Sequence, residues 1–261
     1  QALILGSSRV MKIAPATVER LTGLRTFNAG NLTAYAEDHY VMLRYAVEQA
    51  GAQPRLVLLG LELEALHDQE PMNEFLLERN PFSAFLQKGE NRHGRWNRLV
   101  KLLSWNETRL SLRSLQHWAA VSKPAEPQLR IDPDGRLVYV HLEKALAAGT
   151  LNLESLVQQS ARMAIRRYQN YKSPSADRID YLDATLRYAK ERNIRVIVFL
   201  TPVHRAVRAE LKPYAAKDAE FVAAIQQAAA RWSAECHDLR YVESFQGRPD
   251  GFYDGTHVDA D

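Results

Sequence analysis

The chain has 261 residues, of which 46% are hydrophobic and 25% are charged, and its formal net charge is +3. These values are ordinary for a globular protein with a sizeable core, and so small a positive charge, without an aromatic–basic motif, argues against nucleic acid as a partner. The single cysteine excludes an intrachain disulfide, and no apolar run reaches the roughly 18 residues that span a membrane.

The first third of the chain alternates between short apolar runs and helical patterns. Three strands are predicted, over Leu3–Gly6, Leu24–Asn28 and Leu56–Gly60. Two helices are predicted between them, over residues 14–22 and from Thr33 to about Ala50. Pro15 suits the first turn of one helix and Gly51 the end of the other. The third strand is apolar on both faces, which is typical of a central parallel strand.

The last third resumes the same rhythm. Helices are predicted over residues 176–192 and 218–235, and strands over Arg195–Leu200 and Leu239–Val242. Five strands separated by helices predict an α/β fold, namely a three-layer α/β/α sandwich around a five-stranded parallel sheet.

The middle of the chain breaks this rhythm and predicts a mostly helical insertion over residues 63–175, between core segments 1–62 and 176–261. A hairpin is predicted around the turn sequence at 132–135. Residues 92–119 combine spaced apolar side chains with many arginines, an amphipathic helical pattern. The pattern favours an ordinary packed helix with a solvated basic face, and the alternative is a lid or a face that contacts a membrane or partner.

Polar residues follow every predicted strand at its carboxyl end. They are Ser8 after the first strand, Gly30 and Asn31 after the second, Glu62 after the third, His204 and Arg205 after the fourth, and Asp254 and His257 after the fifth. Because the carboxyl ends of parallel strands meet at one edge of an open sheet, where ligands bind, we expect these residues to lie close together.

Three of these residues have the chemistry of a serine nucleophile and its base. A neutral hydroxyl such as that of Ser8 needs a base, His257 can take its proton, and Asp254 can hold the imidazole in the required tautomer. The alternatives are structural: Ser7 and Ser8 cap the helix that follows the first strand, and Asp254 with His257 forms a surface turn.

Other sites receive less support from the sequence. His204 and Arg205 either bind a carboxylate or acyl carrier, or begin a helix and face solvent. His39 and His67 lie beside carboxylates, but no metal-ligand spacing connects them, so no metal is predicted. No phosphate-binding glycine loop or dinucleotide fingerprint is present, and no cofactor is predicted.

Three islands of the sequence resemble the conserved blocks of the SGNH/GDSL hydrolase superfamily. Gly6-Ser7-Ser8-Arg9 resembles the first block, with Ser7 where the usual Asp stands, and Asn28-Ala29-Gly30 resembles the second. Tyr253-Asp254-Gly255-Thr256-His257 resembles the last block. The likeness covers both ends of the chain, about half of its residues. It implies an SGNH-like core, with backbone N–H groups of Ser8 and Gly30 stabilising an oxyanion.

The third block departs from the superfamily pattern. Leu56–Leu63 stands in its place, and Glu62 occupies the position of an asparagine that donates to the oxyanion. An ionised carboxylate there would repel the oxyanion, and loss of one such donor typically costs about 10²–10³ in rate. Either Glu62 points elsewhere, Asn31 replaces it as donor, or the acyl donor and acceptor differ from those of ordinary esterases.

The Gly-Ser-Ser form of the first block resembles a subset of the superfamily, the alginate O-acetylation proteins and the teichoic acid D-alanyl transfer protein. This resemblance implies acyl transfer to, or removal from, a cell-envelope glycan, beside a membrane-bound O-acyltransferase. It also implies an extracytoplasmic location, with an N-terminal anchor expected before Gln1 in the natural chain. The alternatives are a plain esterase or lipase acting on small or lipid esters, and a non-catalytic binding or scaffold module of an acyltransferase complex.

Overall fold

One five-stranded parallel sheet organises the chain. The computed structural model describes residues 1–73, 76, 82–86, 127–248 and 251–258. The strands of the main sheet are β1 (Ala2–Leu5), β2 (Thr26–Asn28), β3 (Leu56–Leu61), β6 (Arg195–Leu200) and β7 (Glu235–Asp238). They pair in parallel in the order β2-β1-β3-β6-β7. Strands β2 and β3 lie on opposite sides of β1, so the order of strands reverses at the boundary between β1 and β3. A separate antiparallel hairpin consists of β4 (Leu129–Ile131) and β5 (Leu137–Tyr139).

Helices cover both faces of the main sheet. The helices within the described ranges are α1 (Pro15–Thr22), α2 (Ala36–Glu48), α3 (Val140–Ala147), α4 (Leu153–Asn170), α5 (Ala176–Glu191), α6 (Arg205–Glu210) and α7 (Ala215–Arg231). The larger core joins one face of the sheet to α2, α5 and α7, and a smaller core joins the other face to α1. The three-layer α/β/α prediction is therefore confirmed. Within the described ranges, no helix is long and apolar enough to cross a membrane.

Strand β1 shows how the sequence produces this layering. All four residues of β1 are buried, and neighbouring side chains enter opposite cores because successive residues of a strand point to opposite faces. Leu3 and Leu5 pack into the larger core, whereas Ala2 and Ile4 pack into the smaller one. A strand that is apolar on both faces is thus a strand covered on both faces.

Two predicted boundaries near the fifth strand are wrong. The helix predicted over 218–235 is α7, and it ends earlier because Ser233 adopts a left-handed conformation with φ 60°. The strand predicted over Leu239–Val242 is instead β7, Glu235–Asp238. As an edge strand, β7 alternates exposed and half-buried residues and carries no apolar run.

Part of the segment 63–175 is described, and its division from the core remains a prediction. The predicted hairpin is confirmed, since Leu129 pairs with Tyr139 across the turn. Buried side chains near both ends of the segment, including Leu66 and Tyr171, belong to the larger core of the sheet. The predicted amphipathic stretch 92–119 lies outside the described residues.

The turn after β1 requires a glycine. Gly6 has φ +143°, and a Cβ atom there would lie 2.5 Å from the backbone oxygen of Gly60 on β3. Such close approach of two backbones leaves no room for a side chain. The chain therefore turns tightly at Gly6 and presents Ser8 above the point between β1 and β3 where the order of strands reverses, a usual position for a ligand site in open α/β sheets.

Candidate active site

Three side chains from the two ends of the chain meet at the carboxyl edge of the sheet. The Ser8 hydroxyl lies 2.9 Å from Nε2 of His257, which is 249 residues away along the chain. On the other side of the ring, Nδ1 of His257 lies 2.8 Å from Oδ2 of Asp254. We call these three residues the proton relay. The hydrogen-bond pattern places the imidazole proton on Nδ1, so that Nε2 accepts the hydrogen bond from Ser8.

The loop that carries Asp254 and His257 is fixed by its own hydrogen bonds. Oδ1 of Asp254 accepts the backbone N–H groups of Thr256 at 2.6 Å and His257 at 2.8 Å. The N–H of Gly255 donates to Oγ of Ser160 on α4 at 3.1 Å, which docks the loop against the segment between the two core halves. One carboxylate oxygen thus shapes the turn while the other orients the imidazole.

The electrostatics of the relay favour an ionised carboxylate. Although burial opposes it, the hydrogen bonds from His257 and from the backbone N–H of Thr256 lower the pKa of Asp254 to about 2. Asp254 therefore stays ionised at neutral pH and stabilises the positive charge that His257 acquires when it takes the Ser8 proton.

Gly30 reaches the same edge of the sheet, but its N–H is engaged by a neighbour. It donates to Oδ1 of Asn28 at 3.1 Å. Asn28 is buried and held by donating its own amide to the backbone oxygens of Val10 and Ile13. Gly30 must share its N–H between Asn28 and an oxyanion if it is to act as a donor.

Asn31 is placed similarly. Its side-chain amide donates to Oδ1 of Asp38 at 3.3 Å, and its backbone N–H donates to the oxygen of Gly6 at 3.0 Å. In this arrangement Asn31 ties the end of β2 to the turn after β1 and to the start of α2. Because the amide nitrogen carries two N–H groups, Asn31 can keep its bond to Asp38 and donate the second N–H to an oxyanion.

Glu62 lies buried at the end of β3 in a cluster of charged side chains. Its side chain interacts with Ser7 and faces Arg9, while Oε2 of Glu62 has no hydrogen-bond partner among the described residues. Burial raises the pKa of Glu62 to about 7, although Arg9 opposes this. The pKa of the neighbouring Glu64 shifts in the opposite direction, because contacts with Arg9 and Arg167 lower it despite burial. Burial therefore favours the neutral form of Glu62.

His204 and Arg205 stand at the start of α6. Nδ1 of His204 accepts the N–H of Ala206 at 3.2 Å and so caps the helix, while its ring packs edge-on against Phe252 with centroids 5.4 Å apart. Burial lowers the pKa of His204, and Arg205 and Arg208 lower it further. The side chain of Arg205 is exposed. His204 therefore begins a helix, but its ring packs against Phe252 and does not face solvent as Arg205 does, and a carboxylate-binding role for the two residues remains a prediction.

Sequence reasoning missed Tyr139, which the hairpin brings to the relay. Its hydroxyl lies 3.3 Å from Nε2 of His257, and the two rings meet edge-on with centroids 5.2 Å apart. Lys12 was also missed: it is 2% exposed and lies beneath the Tyr139 ring. The signal for Tyr139 in the sequence is its place on the strand that follows the predicted hairpin turn, and that signal does not say where the hairpin docks.

Comparison with known proteins adds little to this geometry. No family model and no curated protein matches the chain. Among solved structures, a proposed acylhydrolase from Bacteroides fragilis is similar over 99% of this chain and 78% of its own, with 9% identity and a TM-score of 0.41. The acetyl xylan esterase AlAXEase is similar over 100% of this chain and 92% of its own, with 10% identity and a TM-score of 0.41. Likeness at this level carries no argument about activity.

Proposed function

We propose that the protein is a serine-dependent acyl-transfer enzyme that forms an acyl-Ser8 intermediate. The observation that carries this proposal is the unbroken relay from Ser8 through His257 to Asp254, with separations of 2.9 Å and 2.8 Å. Ser8 as a mere helix cap would not need an imidazole at its hydroxyl, and a mere surface turn would not aim Nε2 of His257 at a serine from the other end of the chain.

The relay supports a two-step reaction. Ser8 Oγ attacks the acyl carbon of an ester while Nε2 of His257 takes its proton, and the proton then passes to the departing alcohol oxygen. In the second step an acceptor hydroxyl gives its proton to His257, bonds to the acyl carbon and releases Ser8, which recovers its proton. Asp254 holds the ring in place throughout.

The backbone N–H groups of Ser8 and Gly30 are the proposed donors to the oxyanion. Glu62 need not repel that charge, because burial raises its pKa to about 7 and its neutral form is accessible. The cavity lined by Glu62, Arg9 and Thr201 has a volume of about 40 Å³. Ligand pockets usually measure about 300–1,000 Å³, so a sugar chain would have to lie across the open edge of the sheet and not in this cavity.

The proposed substrate is an acylated cell-envelope glycan, as donor or acceptor, in an extracytoplasmic compartment beside a membrane-bound O-acyltransferase. The support for this finer proposal is the resemblance of Gly6-Ser7-Ser8 to the envelope subset of the SGNH superfamily. A plain esterase would use the same relay with water as acceptor.

A non-catalytic scaffold module is the second candidate function. The observation that favours it is that the single backbone N–H of Gly30, a predicted oxyanion donor, is already occupied by Asn28. A scaffold predicts that no acyl group is ever found on Ser8.

Trapping the intermediate tests the proposal. The purified protein is mixed with 4-nitrophenyl acetate, quenched in acid and digested, and acetylated peptides are located by mass spectrometry. We expect acetate on Ser8 in the natural chain and none there in Ser8→Ala. Adding a hydroxyl-rich polysaccharide should move acetate into the polymer if the enzyme is a transferase and leave only free acetate if it is an esterase. No acetyl-Ser8 in folded protein would contradict catalysis and favour the scaffold.

A further inference from the structure

The phenol of Tyr139 lies beside both reacting groups of the relay. Its oxygen is 3.3 Å from Nε2 of His257, and it also interacts with the Ser8 hydroxyl. Nε2 of a neutral imidazole has one lone pair, and Ser8 at 2.9 Å holds it at the shorter distance. The Tyr139 hydroxyl is therefore only weakly engaged by His257 and can donate to another oxygen at the same place.

Contacts with its ring hold Tyr139 in position. The ammonium of Lys12 lies 5.2 Å from the centroid of Tyr139 and 4.5 Å from that of Tyr253, and its Nζ is 3.3 Å from Oε1 of Glu143. A buried cation between two aromatic faces and a carboxylate favours a fixed arrangement of the rings. Tyr139 is thus presented to the relay by a packed cluster.

The hairpin that carries Tyr139 is seated on the sheet. The backbone N–H of Asn28 donates to the oxygen of Asp134 at 2.9 Å. Gly135 has φ +88°, and a Cβ there would lie 1.8 Å from the backbone oxygen of Asn28. The hairpin tip therefore rests directly on the end of β2, and β5 runs from there to the relay.

Tyr139 is a neutral donor at physiological pH. Burial raises its pKa above the ordinary value, although the hydrogen bond with Ser8 opposes this. The position next to Nε2 of His257 is also where an alcohol oxygen must sit, because the imidazole has to deliver a proton to it or take one from it. A donor at that position faces the alcohol and not the oxyanion, whose donors are the backbone N–H groups.

We propose that Tyr139 is a further catalytic residue whose hydroxyl binds the alcohol oxygen of the substrate, an inference that rests on the proposed acyl-transfer function. When Ser8 attacks, the bond between the acyl carbon and the alcohol oxygen breaks, the electron pair remains on that oxygen, and His257 supplies its proton. Tyr139 donates a hydrogen bond to this oxygen as its negative charge develops. In the reverse sense Tyr139 orients the acceptor hydroxyl while His257 removes its proton, so atoms and charges balance without another reactant.

Two esters that differ in their leaving group test this role in Tyr139→Phe. Nitrophenolate departs without needing a proton, whereas the alkoxide of an alkyl acetate requires one. We expect the variant to keep kcat/KM for 4-nitrophenyl acetate within about 3-fold and to lose about 10- to 100-fold with ethyl acetate, the loss that one hydrogen bond to a charged oxygen provides. Tyr241→Phe is the matched control, since that phenol is 46% exposed and stacks on Arg208.

The outcomes separate this inference from the proposed function. Equal losses of Tyr139→Phe on both esters would overturn it, because a structural role does not distinguish leaving groups. Unchanged kcat/KM on both esters would overturn it as well. Should the natural chain neither acetylate Ser8 nor hydrolyse either ester, the proposed function itself fails, and the role of Tyr139 falls with it. A change in Tm of Tyr139→Phe larger than that of Tyr241→Phe, together with equal losses, would identify a packing residue.

Discussion

The two halves of the candidate site are held in different ways. In the proton relay, Ser8, His257 and Asp254 bond to one another and to the short loop that carries two of them. In the donor half, the predicted oxyanion groups bond outward: Gly30 to Asn28, and Asn31 to Asp38. The relay is therefore ready for chemistry as it stands, whereas the single N–H of Gly30 must be shared or released when a substrate binds. Proton transfer and oxyanion stabilisation should accordingly respond differently to mutation.

The relay should show the largest effect. Asp254→Asn keeps an oxygen that can accept the N–H groups of Thr256 and His257, but its amide no longer accepts from Nδ1 of His257. We expect kcat to fall about 10³- to 10⁴-fold, because the imidazole is no longer held in the tautomer that accepts the Ser8 proton. Steady-state hydrolysis of 4-nitrophenyl acetate measures this, with Tm as the control for folding. A loss below 10-fold would show that Asp254 is not part of the relay.

The hairpin offers an intermediate effect. Gly135→Ala would place a methyl group 1.8 Å from the backbone oxygen of Asn28, at φ +88°. We expect the tip to move away from β2, with stability reduced by about 1–3 kcal/mol and ethyl acetate turnover reduced at least as much as in Tyr139→Phe. Urea unfolding and kinetics on both esters measure these changes. If Gly135→Ala is as stable and as active as the unsubstituted protein, the docking of the hairpin on β2 is contradicted.

The buried carboxyl of Glu62, in the donor half, should make the stability of the protein depend on pH. Burial raises its folded-state pKa from an ordinary 4.5 to about 7, so the folded state keeps this proton to a higher pH than the unfolded state does. The free energy of unfolding should therefore fall as pH rises from about 4.5 to about 7. Glu62→Gln, which is uncharged at every pH, should remove about 1–3 kcal/mol of that fall.

Asp38 provides the control for the Glu62 experiment. Burial raises its pKa to about 7 as well, although the N–H of Tyr35 opposes this, so Asp38 adds a loss of stability of the same sign over a similar pH range. Urea unfolding from pH 4.5 to 7.5 measures this. The fall of the unfolding free energy with pH should be smaller in Glu62→Gln and in Asp38→Asn, and smallest in the double variant. If the free energy of unfolding of Glu62→Gln depends on pH as that of the unsubstituted protein does, then Glu62 is ionised throughout this range and the donor half carries a fixed negative charge.

The smallest effect is expected at α6. Removing the cap in His204→Ala should cost about 1 kcal/mol of stability and leave ester hydrolysis unchanged, because the side chain of His204 accepts from Ala206 and the backbone N–H that donates to Gly255 in the relay loop is kept. Arg205→Ala is the companion variant, since its side chain is exposed at the same helix start. A selective rise in KM for an anionic acyl donor in either variant would instead support the carboxylate-binding prediction.

The strand ends and the relay could be predicted from sequence because their signals are local. Apolar runs such as Leu56–Leu61 identify buried strands, and chemistry restricts which residues can serve as nucleophile, base and orienting acid. The topology then brings Ser8 and His257 together at one edge of the sheet. The edge strand Glu235–Asp238 escaped prediction because it has one neighbour and half-buried residues, and so lacks an apolar run.

The donor half and Tyr139 could not be predicted, because packing selects their partners. Nothing local to Asn28 indicates that its side-chain amide will donate to the backbone oxygens of Val10 and Ile13, and the burial of Glu62 beside Arg9 depends on how β1 and β3 meet. Tyr139 reaches His257 only because Gly135 allows the hairpin to rest on Asn28. Each of these contacts joins residues that are far apart along the chain, so the local sequence does not predict it.

The central claim is that His257 activates Ser8, and fluorophosphonate labelling tests it most directly. The reagent bonds to an activated serine, and mass spectrometry locates the adduct in the natural chain, Ser8→Ala, His257→Ala and the control His141→Ala. We predict an adduct on Ser8 in the natural chain and in His141→Ala, none at that position in Ser8→Ala, and labelling at least about 10³-fold slower in His257→Ala. Equal labelling of Ser8 in the natural chain and in His257→Ala, or no labelling of folded natural protein, would contradict the claim.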